Sequence, residues 1–336
     1  MISDIIIKVI LIMKISLLKK FVIWVAFVTL VVAVIPFFMV FKKGFENPKE
    51  TFENTVKVYF ADTDEVKTMN LEDYIIGVVT AEMPASFNEE ALKAQSVASR
   101  SYTLSKIKAN KNLGDTSDSH KGADICTDFK HCQAYTSKEE AYKNWGSNAP
   151  GYYKKISNAV YDTKGEILTY KGEVISAVFH SSNSGKTENS KDIWGGDYPY
   201  LASVESFGEE NAPKYKTNVK ISVNEFKHKL KSEYDDITFD TLIGESTYTS
   251  GGSVDEINIG NKKIKGTAMR RIFNLYSANF KIEQLGDNII FNVTGHGHGV
   301  GMSQYGANYM ASIGKTYKEI LLNYYTDVKI SEYKKP

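Results

Sequence analysis

From Phe21 to Phe41 the chain reads FVIWVAFVTLVVAVIPFFMVF, an apolar run without a charge. About 20 such residues suffice to cross a bilayer as a helix. Trp24 near its start and Phe37, Phe38 and Phe41 near its end stand where interface aromatics belong. Pro36 lies near one end, where a kink costs least. A cleavable signal would have an apolar core of only about 7–15 residues followed by small residues. Here Lys42, Lys43, Gly44 and Phe45 follow instead. The pattern predicts an uncleaved transmembrane helix over 21–41 behind a cytoplasmic segment, 1–20. Four lysines precede the run (Lys8, Lys14, Lys19, Lys20) and three follow it (Lys42, Lys43, Lys49), which favours an inside N-terminus. The expected location is the cell membrane, single-pass, with the C-terminal domain extracytoplasmic. Residues 1–12 are left out of the fold reading, since Met13-Lys14 offers a second start.

After a polar linker, 42–54, the pattern turns globular over 55–330. Val56 to Ala61 and Val66 to Met69 alternate with period two and predict strands. Asn70, followed by Asp73 three residues on, opens a helix over LEDYIIGVVTAEM, with Leu71, Tyr74, Ile75, Val78 and Val79 on one stripe. Pro84 ends it, because the residue before a proline avoids the helical region. A second, long helix follows Asn88 and fades in KIKANKNLGD. Residues 139–161 read as partly helical, and 165–180 as a hairpin turning near Lys171-Gly172. A Ser/Asn/Gly loop covers 181–200. The stretch 219–294 mixes helix-like VNEFKHKLKSEY with strand-like NIIFNV. Helices are expected at 303–313 and from Tyr317 to Tyr325. The order of elements predicts an α+β fold: one mixed catalytic domain, a long helical segment and antiparallel strands, preceded by the transmembrane helix.

Charge changes this picture little: 41 Lys+Arg stand against 40 Asp+Glu, which gives no pull towards nucleic acid. Tyrosine is plentiful at 21, and its ring packs on a sugar's apolar face while the hydroxyl stays wet. A tyrosine-rich β protein would look the same. The two cysteines, Cys126 and Cys132, lie beside His120 and His131 in a polar segment. Two thiolates and two imidazoles can fill a tetrahedral structural Zn²⁺ site. The spacing is not the usual paired C-x-x-C, and a Cys126–Cys132 disulfide or two unpaired thiols are the alternatives. His296 and His298 stand in GHGHGVG, whose glycines allow close approach of backbone or sugar. Gly301-Met302-Ser303-Gln304-Tyr305 is not a serine-hydrolase elbow, because Tyr305 stands where the second glycine is needed. Glu82 falls in the last turn of its helix, where the negative end of the helix dipole raises a carboxyl pKa. Val78, Val79, Met83 and Phe87 can add desolvation. Glu89 and Glu90 are rivals, but at a helix N-terminus ionised carboxylates are merely stabilising.

Three stretches together resemble the stage II sporulation protein D / amidase-enhancer family. They are YIIGVVTAEMPASFNEEALKAQSVASRSYTL (74–104), FHSSNSGKTENSKDIWGGDYPYLASVES (179–206) and GHGHGVGMSQYGANYMASIGKTYKEILLNYY (295–325). The second departs a little, with Asn183-Ser184-Gly185 in place of a Ser-Gly-Gly-like run. The resemblance implies a lytic transglycosylase that cuts peptidoglycan glycan strands and leaves 1,6-anhydro ends. It implies work beside a partner amidase, which strips stem peptides, and a membrane protein of the engulfment machinery. In the amidase-enhancer branch the domain is a non-catalytic regulator of a wall hydrolase. Cys126, Cys132 and the single expected anchor favour the sporulation branch, which also favours zinc over the disulfide. The resemblance makes Glu82 the acid/base, where the residue alone reads as an ordinary helix-end glutamate. Ser181, Ser182, Thr187, His298, Ser303, Gln304 and Tyr305 become candidate glycan-binding residues, with His180 and Lys186 beside them. No organic cofactor is implied.

Overall fold

The computed structural model describes residues 54–113 and 120–334, together with 19, 20 and 24. The chain divides into two units, Met1–Glu53 and Asn54–Pro336. Of the first, Lys19, Lys20 and Trp24 are described, and each is helical and exposed.

The second unit opens with β1 (Thr55–Phe60) paired antiparallel to β2 (Glu65–Asn70). Val56 and Val58 alternate into the core, as a half-buried strand requires. The Asn70 side chain then caps α1 (Leu71–Glu82) by accepting the Glu72 N–H at 2.8 Å. Helix α1 buries Leu71, Tyr74, Ile75, Val78 and Val79 and stops at Met83, one residue before Pro84. Next comes α2 (Glu89–Leu113), and then β3 (Ile125–Cys126), which lies parallel to β1. Helices α3 (Lys138–Trp145) and α4 (Ala149–Asp162) form a hairpin. Strands β4 (Glu166–Tyr170) and β5 (Glu173–Val174) turn through Lys171 and Gly172, with φ of 51° and 86°. Two positive φ values at a two-residue loop match the right-handed twist of the flanking strands. Strand β6 (Phe179–His180) and the short α5 (Ser190–Trp194) follow.

A second core begins with β7 (Lys216–Ser222) and α6 (Val223–Glu233). It continues through β8 (Ser246–Tyr248), β9 (Val254–Ile259), β10 (Lys262–Lys265), α7 (Gly266–Phe273), β11 (Phe280–Leu285) and β12 (Asn288–Thr294). The sheets run β11-β12-β7 and β10-β9-β8, and Phe226, Phe273 and Phe291 pack between them and the helices. The chain then returns to the first core with β13 (Met302–Ser303), α8 (Gln304–Ser312), α9 (Tyr317–Tyr324) and β14 (Lys329–Glu332). Strand β13 pairs parallel with β6, and β14 with β4 antiparallel.

Helix α2 is the central rod, with α1, α4, β4, α8 and α9 packed on it. Its Arg100 is fully buried, bonded to Glu72 of α1 and to the carbonyls of Val160 and Glu166. A buried guanidinium is tolerated because every direction of its fork finds an acceptor.

Two sequence expectations are corrected. Among the described residues no helix is long and apolar enough to cross a membrane. Helix α2 has the length, at 25 residues, but carries Glu89, Glu90, Lys93, Arg100, Lys106 and Lys108; α1 is apolar but has only 12. The run expected to span, 21–41, lies outside the described residues apart from Trp24. The transmembrane helix in the fold class, and the single-pass membrane location that rested on it, are therefore withdrawn. The strands, in turn, form several small sheets in which most pairings are antiparallel but β1–β3 and β6–β13 are parallel.

Candidate active-site groove and metal centre

The three motif stretches meet at one groove. It has a volume of about 310 Å³ and is lined by Thr80 to Ala85, Trp145, Ser181, Gln304 and Tyr305. Among these described lining residues Glu82 is the sole carboxylate. It arrives on the last turn of α1, Ser181 follows β6, and Gln304 and Tyr305 open α8. Register between the last two is set by the backbone: Tyr305 N–H donates to the Ser181 carbonyl at 3.1 Å. The Tyr305 ring stands edge-on to Phe87, at 4.9 Å and 80°.

Glu82 keeps some solvent contact at the groove, yet its carboxyl lies deep enough that burial raises its pKa. Two hydrogen bonds oppose that rise without cancelling it. Ala134 N–H donates to Oε1 at 2.9 Å, and the Gln304 side chain supplies the other. Burial is the largest cause of the rise.

The Ala134 donor comes from the cysteine loop. His120 Nε2, Cys126 Sγ, His131 Nδ1 and Cys132 Sγ lie within 4.8 Å of one another. His120 Nε2 is 3.0 Å from His131 Nδ1 and 3.3 Å from Cys132 Sγ. His131 Nδ1 lies 3.5 Å from Cys126 Sγ and 3.6 Å from Cys132 Sγ. Zn–N and Zn–S bonds of about 2.1 and 2.3 Å set tetrahedral ligand separations of roughly 3.4–3.8 Å, so these four atoms fit a zinc ion after small adjustments. Both cysteines are buried free thiols. The hydrogen bond from Cys132 pulls the Cys126 thiol down to about 5. Two residues past Cys132 the loop delivers Ala134 to Glu82, and Thr136 N–H then bonds the Gly77 carbonyl at 3.1 Å. Gly77 is required there, because a Cβ would lie 2.1 Å from the Tyr135 ring.

The other sequence candidates do not line the groove. Ser303 is fully buried, caps α8 by accepting the Gly306 N–H, and lies 2.9 Å from Glu209 Oε2. Ser182 exchanges backbone hydrogen bonds with His296. The Thr187 hydroxyl accepts the Val204 N–H at 2.8 Å. His298 Nδ1 accepts the Val300 N–H, its ring packs 5.0 Å from Trp194, and burial lowers its pKa to about 4, so it is neutral. His180 is buried against the Val300 carbonyl and Asn183, with its pKa lowered to about 3 by burial and then by His298. Lys186 is exposed. Glu89 and Glu90 pair with Lys93 at the N-terminus of α2.

Two residues escaped sequence reasoning. Glu209 lies buried behind the groove wall and accepts Asn183 N–H and the hydroxyls of Ser206 and Ser303. Trp145 lines the groove from the α3–α4 hairpin, outside the three motifs. A lone tryptophan at the end of an eight-residue amphipathic helix carries no signal of which surface it will meet.

Residues 59–170 match the family model described as stage II sporulation protein. The stage II sporulation protein D of Bacillus amyloliquefaciens is 40% identical over 86% of this chain and 82% of its own. That of Bacillus subtilis is 40% identical over 83% and 79%. The amidase enhancer of Bacillus subtilis is 26% identical over 76% of this chain and 40% of its own. With relatives 40% identical over most of both chains, the chain belongs to the stage II sporulation protein D family.

Proposed function

We propose that this protein is a peptidoglycan lytic transglycosylase of sporulation, with Glu82 as its single acid/base. The observation that carries the reading is a carboxyl with a burial-raised pKa, the one carboxylate among the described residues lining a groove where three distant stretches meet. A raised pKa keeps the proton available near neutral pH. Hydrolysis would call for a second carboxylate to activate water or attack the sugar. With one, the substrate's own hydroxyl can serve as nucleophile. Glu82 protonates the glycosidic oxygen as the bond from C1 to that oxygen breaks. The muramic 6-hydroxyl oxygen bonds to C1, and its proton passes to Glu82, which returns to its starting state. The Ala134 N–H and Gln304 hold the carboxylate while it is ionised. Ser181, Gln304 and Tyr305 face the same space and can take sugar hydroxyls and amides.

His120, Cys126, His131 and Cys132 would hold a structural Zn²⁺, which when bound supplies only rigidity to the loop that ends at Ala134. The substrate is a glycan strand stripped of stem peptides, so an amidase is the natural partner, alongside a membrane protein of the engulfment machinery. The likeness to an amidase enhancer supports a second reading, a non-catalytic regulator of a wall hydrolase. Incubation of the purified protein with peptide-free glycan separates them. Soluble fragments from the wild type, and none from a folded Glu82→Gln variant, would support the enzyme. Intact strands with both proteins, alongside stimulation of an added amidase, would leave the regulator.

A further inference from the structure

We propose that Trp145 is a sugar-stacking platform of the groove and forms one wall of a glycan subsite beside Glu82. The proposal rests on the glycan reading above and names a residue that the motifs do not. Trp145 is the last residue of α3, and Gly146 at φ 54° turns the chain away immediately after it. The indole lines the groove together with Glu82 and keeps part of its surface exposed. Two features hold it still. Tyr152 of α4 meets it perpendicularly, with ring centroids 5.7 Å apart. The hairpin itself is docked onto the turn that follows Glu82, because the Lys155 ammonium of α4 donates to the carbonyls of Ala85 and Phe87. Platform and carboxyl are thus tied to one another through α4.

A half-exposed indole held in place beside an acidic groove offers a flat apolar surface for a ligand to cover. The chemistry that suits it is a flat, mostly C–H surface with polar groups around its rim. A pyranose ring has that shape: its axial C–H bonds meet the negative face of the indole while its hydroxyls reach outward. Tyr305, edge-on to Phe87, lines the same groove, with Ser181 and Gln304 able to supply polar contacts. Stacking is sequence-tolerant along a glycan but insists on a ring face. Trp145 should therefore set affinity and register and leave the proton transfer at Glu82 alone.

The test is binding of a soluble, peptide-free glycan oligosaccharide to the full-length protein carrying Glu82→Gln, which removes turnover. Adding Trp145→Ala should weaken the dissociation constant about tenfold, while Trp145→Phe should stay within about threefold of the parent. Trp145→Leu keeps apolar packing on Tyr152 but offers no ring face, so it should bind as poorly as Trp145→Ala; melting curves identify any variant that fails to fold. In the otherwise wild-type protein Trp145→Leu should raise KM and leave kcat and its pH profile in place. Unchanged affinity in Trp145→Leu, with the parent binding normally, would overturn the platform and leave the glycan reading standing. A folded parent that binds no glycan would overturn both.

Discussion

Glu82 and Glu209 are both carboxyls pushed up by burial, yet their surroundings differ in kind. Glu209 is almost fully enclosed and accepts a backbone N–H and two hydroxyls, one of which, Ser206, also meets Tyr324 at 2.7 Å. Glu82 has two protein donors and an open side facing a groove. The two carboxyls share the burial and differ in access: only Glu82, among these two, opens onto a groove. Glu209 locks Asn183, Ser206 and Ser303 together and so sets the wall from which Gln304 and Tyr305 project.

The sharpest way to break that comparison is to remove each acid in turn. Glu82→Gln keeps shape and hydrogen-bonding but cannot trade a proton, so glycan cleavage should fall by about 10²–10⁴-fold or vanish, while the melting curve stays close to wild type. Glu209→Ala should do the reverse. It strands three donors, each costing about 1–3 kcal/mol when left unpaired inside the protein, and should lower the melting temperature by several degrees. Its remaining folded fraction should keep the wild-type pH dependence. If the two variants exchanged phenotypes, the roles assigned here would be reversed.

The metal loop comes next in size. If the four side chains hold zinc, the purified protein should carry about one equivalent, and Cys126→Ser or Cys132→Ser should lower it and depress thermal stability in step, since site formation is coupled to folding. A protein with neither metal nor free thiols under denaturing, non-reducing conditions would point to a disulfide instead. Because the same loop presents Ala134 to Glu82, cleavage should fall with the metal. Gly77→Ala, which drives a methyl into Tyr135 of that loop, should cost stability as well.

The smallest effect is a pH dependence. A carboxyl with a raised folded-state pKa stabilises the protein fully below its unfolded pKa and loses that contribution as pH rises through the folded one. Glu82→Gln should therefore be no less stable than wild type at neutral pH, and the difference should close as pH falls towards about 4. The wild type's kcat/KM should decline on the alkaline side as the acid form is lost. An unfolding series across pH, run on both proteins, checks the sign.

Much of the local structure was legible in the chain. The end of α1 at Glu82 follows from Pro84 and the β4–β5 turn from Lys171-Gly172, and α8 and α9 lie where helices are expected at 303–313 and from Tyr317 to Tyr325. These features depend on neighbours a few residues apart. The Ala134 contact to Glu82 spans 52 residues and the Glu209 contact to Ser303 spans 94, and no periodicity encodes such distances. His298, expected on the groove, packs half-buried against Trp194 and is not among the residues lining that groove. Ser181, Gln304 and Tyr305 fell on the groove because the resemblance supplied long-range information that composition lacks.

The central claim is that one carboxyl suffices because the substrate supplies its own nucleophile. Mass spectrometry of the fragments released from peptide-free glycan tests it directly. The account predicts muramic ends lighter by one water, the 1,6-anhydro form, produced by the wild type and absent with a folded Glu82→Gln variant. Reducing, hydrated ends as the primary product, or anhydro ends formed as fast by Glu82→Gln, would contradict it.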